Sequence, residues 1–238
     1  DGYTLLIATS STHSIGPMLQ KLPYDPLKDF APITHVANVP NVLVVSPKLP
    51  VGSGAELIAL AKSKPGQLNF ASSGVGTIVH LNAELFKMLA GVDLVHVPYK
   101  GTALSIPDVA NGSIAMLFDS LASVQPHIKA GRVRPLAVNA QKRSGLVPEV
   151  PTLAEAGMPA FDRYTWFGMF APAGTPPDIV RKLQAEVAAA LKSPDLRERV
   201  KAVAAEPVGS TPEAFVERIK SDATRWAEVI RKADVKVQ

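Results

Sequence analysis

The residues best suited to chemistry lie in Leu68-Asn69-Phe70-Ala71-Ser72-Ser73-Gly74-Val75-Gly76-Thr77. An apolar run feeds a small Gly-rich turn, and Ile78, Leu81, Leu85, Met88 and Leu89 then recur at helical spacing. A strand, a turn and a helix in that order aim free N–H groups and the positive end of a helix dipole at whatever sits in the turn. That is a way to bind an anion with backbone, and Ser72, Ser73 and Thr77 add hydroxyls. The same residues equally suit a tight turn with a capped helix and no ligand. No Gly-Lys-Ser/Thr follows, and the third glycine of a dinucleotide fingerprint is missing.

Other polar groups follow apolar runs. Ser10-Ser11-Thr12-His13 follows Tyr3 to Thr9, Tyr99-Lys100-Gly101-Thr102 follows Leu94 to Pro98, and Asp119 follows Ile114 to Phe118. Polar residues at the carboxyl ends of parallel strands are where open α/β sheets bind ligands. Each alone suits a solvated loop; four together point to a site. Catalytic readings find less. The five histidines, His13, His35, His80, His96 and His127, show no metal-ligand spacing. There is no Gly-x-Ser-x-Gly elbow. Ser73 with His80 and Asp119 is a poor triad, because His80 falls two turns up a helix; it is expected to pack near the turn, cap it or reach the ligand.

The elements that must position these groups alternate. Tyr3 to Thr9 reads as a buried strand, apolar on both faces. Ile33 to Val39 and Val42 to Ser46 are strands separated by Pro40-Asn41, and Ser53 caps a helix to Lys64. Leu68 to Ala71, Leu94 to Pro98, Ile114 to Phe118 and Leu136 to Asn139 are further strands, and Gly91 closes the helix from Ile78. This rhythm predicts parallel sheets. After Tyr164 comes the strand Trp166 to Ala171, then three helices. Thr175 caps the first ahead of Pro176, Ser193-Pro194 starts the second, and Ser210-Thr211-Pro212-Glu213 reads as a capping box for the third. This part is expected to wrap back onto an earlier sheet.

Composition bounds the rest. The 238 residues are 47% hydrophobic and 19% charged, enough for one large α/β domain or two small ones. No apolar run reaches the roughly 18 residues that span a bilayer. With no cysteine, disulfides, thiolate metal sites and cysteine nucleophiles are excluded. That suits an oxidising compartment but also many cytosolic proteins. A net charge of +4 with scattered Lys and Arg and 6% aromatics argues against nucleic acid. The chain opens at Asp1 without a signal-type stretch, so it reads as processed or as never exported.

Ala71-Ser72-Ser73-Gly74-Val75-Gly76, Val97-Pro98-Tyr99-Lys100-Gly101, Pro151-Thr152-Leu153-Ala154-Glu155-Ala156-Gly157 and Ala171-Pro172-Ala173-Gly174-Thr175-Pro176 resemble, in order and over essentially the whole chain, the substrate-binding proteins of tripartite tricarboxylate transporters, the Bug or TctC family. The resemblance implies an α/β, two-lobed type II periplasmic-binding-protein fold with a ligand cleft between the lobes. One lobe is expected at 1–40 with 166–238 and the other at 41–165, with Val42 to Ser46 and Trp166 to Ala171 as crossings. It implies a periplasmic, monomeric receptor without cofactor, metal or catalysis. The receptor would take a dicarboxylate, tricarboxylate, aromatic acid or amino acid and pass it to membrane permease subunits. By resemblance Ser73, Gly74, Gly76 and Thr77 match the carboxylate-binding turn. Ser11, His13 and Asp119 match cleft-lining positions, and Ser72 and Tyr99 join the ligand-binding set. The family pattern places a strand, a loop and a helix before the Asp-Gly-Tyr-Thr of Asp1 to Thr4. The chain therefore reads as a fragment, a truncated product or a degenerate member with weakened binding. The alternatives are a hydrolytic or metal-assisted enzyme on the same fold, and a cytosolic effector-sensing domain.

Overall fold

The computed structural model describes residues 3–159, 161 and 164–237. Asp1 and Gly2 of the opening motif, and the outermost bounds of the expected lobes, lie outside them. The chain forms two compact units. Unit 1 holds the residues up to Val39 and those from Thr165 onward; unit 2 is the continuous stretch Pro40–Tyr164. The chain thus passes between units at 39–40 and at 164–165. Val42 to Ser46 and Trp166 to Ala171 are expected as crossings; Val42 to Val45 and Trp166 to Ala171 are instead ladder strands inside their own sheets.

Unit 1 is built on β1 (Leu6–Thr9), β2 (Phe30–Val39), β8 (Thr165–Pro172) and the short β9 (Glu206–Pro207). They lie in the order β1-β8-β2-β9, and every pairing is antiparallel. The sequence rhythm pointed to parallel strands. The correction has a physical source, since β1 and β2 both pair with a strand more than a hundred residues later, and no local pattern encodes that. β1 is also shorter and less covered than expected. It starts at Leu6, pairs on one side only, and leaves Ile7 half-exposed. The sheet's core is aromatic. Phe215 packs edge-on against Trp166 at 5.3 Å and tilted against Phe170 at 5.1 Å between ring centroids.

The three late helices are α6 (Pro177–Ala190), α7 (Pro194–Ala202) and α8 (Pro212–Lys232). As expected, this part returns to an early strand, with α6 and α8 both against β2. Their starts are set by single side chains. Ser193 Oγ accepts the Leu196 N–H. Thr211, rather than Ser210, caps α8 by accepting the Ala214 N–H, and Ser210 Oγ instead accepts the His35 N–H. Thr175 does not cap α6. Its hydroxyl donates to Pro172 O, and the helix begins after Pro176.

Unit 2 has a mixed sheet, with β3 (Asn41–Val45), β4 (Asn69–Ser72), β5 (Val95–Pro98), β6 (Met116–Ser120) and β7 (Arg134–Asn139) in the order β5-β4-β6-β3-β7. β4 runs parallel to β5 and β6, while β3 is antiparallel to both neighbours. β3 is buried at every position, as its unbroken apolar run requires. Helices α2 (Gly54–Ser63) and α3 (Ile78–Ala90) supply Leu57, Ala83 and Phe86 to a core shared with Leu43, Phe70 and Phe118. Ser53 caps α2 as expected, accepting the Glu56 N–H, and Gly91 ends α3 at φ 62°.

Candidate functional site: a hydroxyl-lined turn at the start of α3

β4 ends at Ser72, and the chain turns through Ser73, Gly74, Val75 and Gly76 before Thr77 caps α3. Gly74 and Gly76 sit at φ 133° and 77°, values that L side chains rarely adopt. Thr77 Oγ1 donates to Gly74 O at 2.8 Å and accepts the His80 N–H at 3.4 Å. Ser73 Oγ donates to Thr77 Oγ1 at 3.2 Å. Residues 72–77 carry no charged side chain. The turn therefore offers an anion hydroxyls and the amino end of a 13-residue helix, not a countercharge.

Besides the Ser73 and Thr77 hydroxyls, which donate to Thr77 Oγ1 and Gly74 O, two of the expected amide donors are already engaged. The Gly74 N–H donates to Ser72 Oγ at 3.1 Å, and the Gly76 N–H donates to His80 Nδ1 at 3.1 Å. These glycines shape the turn more than they present amides from it. Ser72 is fully buried. Its Oγ lies 2.7 Å from His96 Nε2 and 3.1 Å from Gly74 O. Ser73 and His80 make their hydrogen bonds elsewhere, so these two do not pair with each other.

Strand register collects further polar groups at the same end of the sheet. Ser72 is level with Pro98, and Ala71 with Val97 and Leu117. Carried one and two residues on, these registers set Ser73 level with Tyr99 and Asp119. The Tyr99 N–H donates to Ser72 O, and its hydroxyl donates to Asp108 Oδ2 at 2.6 Å. Loss of water around that hydroxyl, with the Asp108 carboxylate beside it, pushes the phenol up to about 12. Asp119 is 5% exposed. Its Oδ1 accepts the Ser120 N–H at 2.7 Å, and the Thr102 hydroxyl also faces the carboxylate. Burial raises its carboxyl to about 6 despite both. Lys100 is exposed.

Ser11 and His13 belong to unit 1, on a π-helical turn at Ser11–Ile15. Ser11 is half-buried. His13, expected as a cleft-lining residue, lies in the interior of unit 1. It is 3% exposed, with ring centroids 4.4 Å from Phe170 and 5.0 Å from Phe30. Burial lowers its pKa. The π-turn directs the ring into the aromatic core, and residue types at 11–15 do not announce such a turn.

Sequence reasoning missed His96. It stacks on His80 at 3.8 Å and on Phe70 at 4.9 Å, and burial holds it down to about 4, with the neighbouring His80 as the second cause. Its place on β5 beside Ser72 of β4 was the available signal. Among the described residues no group of three or more His, Asp or Glu side chains is placed to hold a metal ion. No helix among them is long and apolar enough to cross a membrane.

Two α/β units, one split in sequence and one continuous, define the type II periplasmic-binding-protein fold, and the comparisons with known proteins agree. Residues 1–235 match the profile of the tripartite tricarboxylate transporter family receptor. The chain belongs to that family, which is one of receptors and not of enzymes. It is 38% identical to Protein BugT of Bordetella pertussis over 240 residues, covering 100% of this chain and 74% of BugT. Among solved structures it resembles an R. palustris protein with adipate at 39% identity and TM-score 0.91, over 99% of this chain and 79% of that one. It also resembles MatC from Rhodopseudomonas palustris with bound malate, at 32% identity and TM-score 0.83, over 97% and 80%.

Proposed function

We propose that this chain captures a small mono- or dicarboxylate in the periplasm and presents it, as a monomer, to the permease subunits of a tripartite tricarboxylate-type transporter. The observation that carries this reading is the turn at 72–77, where hydroxyls and a helix amino end converge without a charged side chain. Such a site suits a carboxylate held by dipoles and hydrogen bonds and later released. Ser73 and Thr77 act on the carboxylate directly, while Ser72, Gly74 and Gly76 shape the turn. Asp119 and Tyr99, level with the turn, choose among the rest of the ligand. Relatives with adipate and with malate at above 30% identity support a dicarboxylate.

A thermal-shift screen of adipate, malate, citrate, benzoate, aspartate and glutamate tests this. A ligand at 100 times its dissociation constant adds about 2.7 kcal/mol of stability, and the acid is recovered unchanged. A flat melting temperature across the panel refutes the carboxylate reading; product formation refutes the receptor reading.

A further inference from the structure

Behind the turn lies a polar layer that touches no ligand in the reading above. On α3, Lys87 Nζ donates to Glu84 Oε1 at 3.0 Å, and Glu84 Oε1 lies 3.7 Å from His80 Nε2. On the other side of the same ring, Nδ1 accepts the Gly76 N–H at 3.1 Å. A nitrogen that accepts an N–H carries no proton, so His80 holds its proton on Nε2, toward Glu84. From β5, His96 lies against His80 face to face, and its Nε2 meets Ser72 Oγ at 2.7 Å. Phe70 of β4 stacks on both imidazoles. The two hydrogen bonds grip the turn at its ends, Ser72 where β4 stops and Gly76 just before the cap.

We propose that His80 and His96 are positioning residues for the carboxylate-binding turn, His80 through the Gly76 N–H and His96 through Ser72 Oγ. The inference rests on the carboxylate reading of the turn, but its first half is independent of any ligand. Gly76 at φ 77° has no side chain to fix it, so its peptide plane is free to rotate unless its N–H is held. His80 supplies the acceptor that fixes the plane, and Glu84, anchored by Lys87, fixes the tautomer of His80. Ser72 Oγ in turn takes the Gly74 N–H, and His96 settles where the Ser72 hydroxyl points. Rotation of either peptide would misdirect Ser73 Oγ and Thr77 Oγ1, which hydrogen-bond to each other and to Gly74 O.

Two experiments test this, and they fail separately. In the ligand-free protein, nitrogen-15 NMR of the imidazoles is expected to show His80 Nδ1 unprotonated and coupled to the Gly76 amide proton. A protonated Nδ1, or a Gly76 amide indifferent to His80 substitution, overturns the proposal whether or not any acid binds. In calorimetric titration with adipate, His80→Leu is expected to weaken binding at least tenfold. His80→Asn, whose side-chain oxygen stands where Nδ1 was, stays within about threefold of wild type. His96→Gln likewise preserves, and His96→Leu loses, the contact to Ser72. Equal affinity for His80→Leu and wild type, or equal losses for His80→Leu and His80→Asn at unchanged melting temperatures, overturns it. A wild-type protein that ignores adipate, with the expected imidazole spectrum, refutes the choice of ligand while the positioning of the turn stands.

Discussion

Gly168 in the middle of β8 is where unit 1 has least room, and Gly168→Ala measures how rigid its core is. The residue is paired on both sides, with Ala8 of β1 and His35 of β2, so its backbone cannot move away. A Cβ at that position would lie 1.9 Å from Phe215 Cζ and 2.6 Å and 2.9 Å from the two Cε atoms. Carbon atoms in contact sit about 3.5–4 Å apart, so the ring must retreat by about 2 Å. It has nowhere to go, because Trp166 and Phe170 stand 5.3 Å and 5.1 Å from its centroid and His35 stacks on it at 5.9 Å. Overpacking of this kind costs about 1–3 kcal/mol, and three confining rings place this case at the upper end. In a chain of this size that lowers the melting temperature by roughly 6–12 °C. Tryptophan fluorescence is the assay of choice, since both tryptophans, Trp166 and Trp226, are buried in unit 1. Phe215→Leu makes the control. It destabilises the wild type by opening a cavity but relieves Gly168→Ala, so the cycle should show a favourable coupling of about 1 kcal/mol or more. A single variant that melts with the wild type, or two penalties that add, would refute the packing argument.

Three further outcomes are expected. Burial first, and the Arg218 charge second, hold His35 down to about 4, so the folded state takes its proton less readily than the unfolded chain. Its share of stability, about 3 kcal/mol, is complete above pH 6.5 and is lost as pH falls toward 4; urea titrations by fluorescence should show that slope, and His35→Gln should flatten it. Asp119 has the opposite sign, because its folded pKa of about 6 exceeds the usual 3.8. Stability is lost as pH rises through 6, and Asp119→Asn should gain up to about 3 kcal/mol at pH 8 and nothing below pH 4; parallel curves for variant and wild type would contradict this. Gly76→Val should reduce acid binding more than Lys100→Ala, since it places a branched residue at φ 77° whereas Lys100 is exposed; titration that finds Lys100→Ala the worse variant would indicate a charge-pair site.

Local rules carried the reading far wherever a short segment contains its own cause. Ser53, Ser193 and Gly91 announce helix ends because cap and capped amide are three or four residues apart. The strand-turn-helix at 69–78 was legible for the same reason. Strand direction in unit 1 was not, because β1 and β2 meet β8 across most of the chain. The engagement of the Gly76 N–H also escaped notice, since it depends on which way the ring of His80 turns. The pairing of His80 with His96 needed the order β5-β4 and α3 above it. His13 shows the reverse error, in which a polar residue in a polar segment sits in an aromatic core.

The split of unit 1 ties its assembly to that of unit 2. Its central pair, β2 with β8, closes with Val39 opposite Thr165, so all of residues 40–164 form one loop between them. For an unstructured loop of that length the closure entropy amounts to about 4 kcal/mol. A folded unit 2 removes most of it. Asn41 pairs with Asn139, and the Gln141 N–H donates to the Tyr164 hydroxyl, so its two ends are drawn together by contacts within the unit itself. Until β8 pairs with them, β1 and β2 lack their common partner. The time for which those two strands lack their shared partner is set by how quickly unit 2 folds and brings β8 to them.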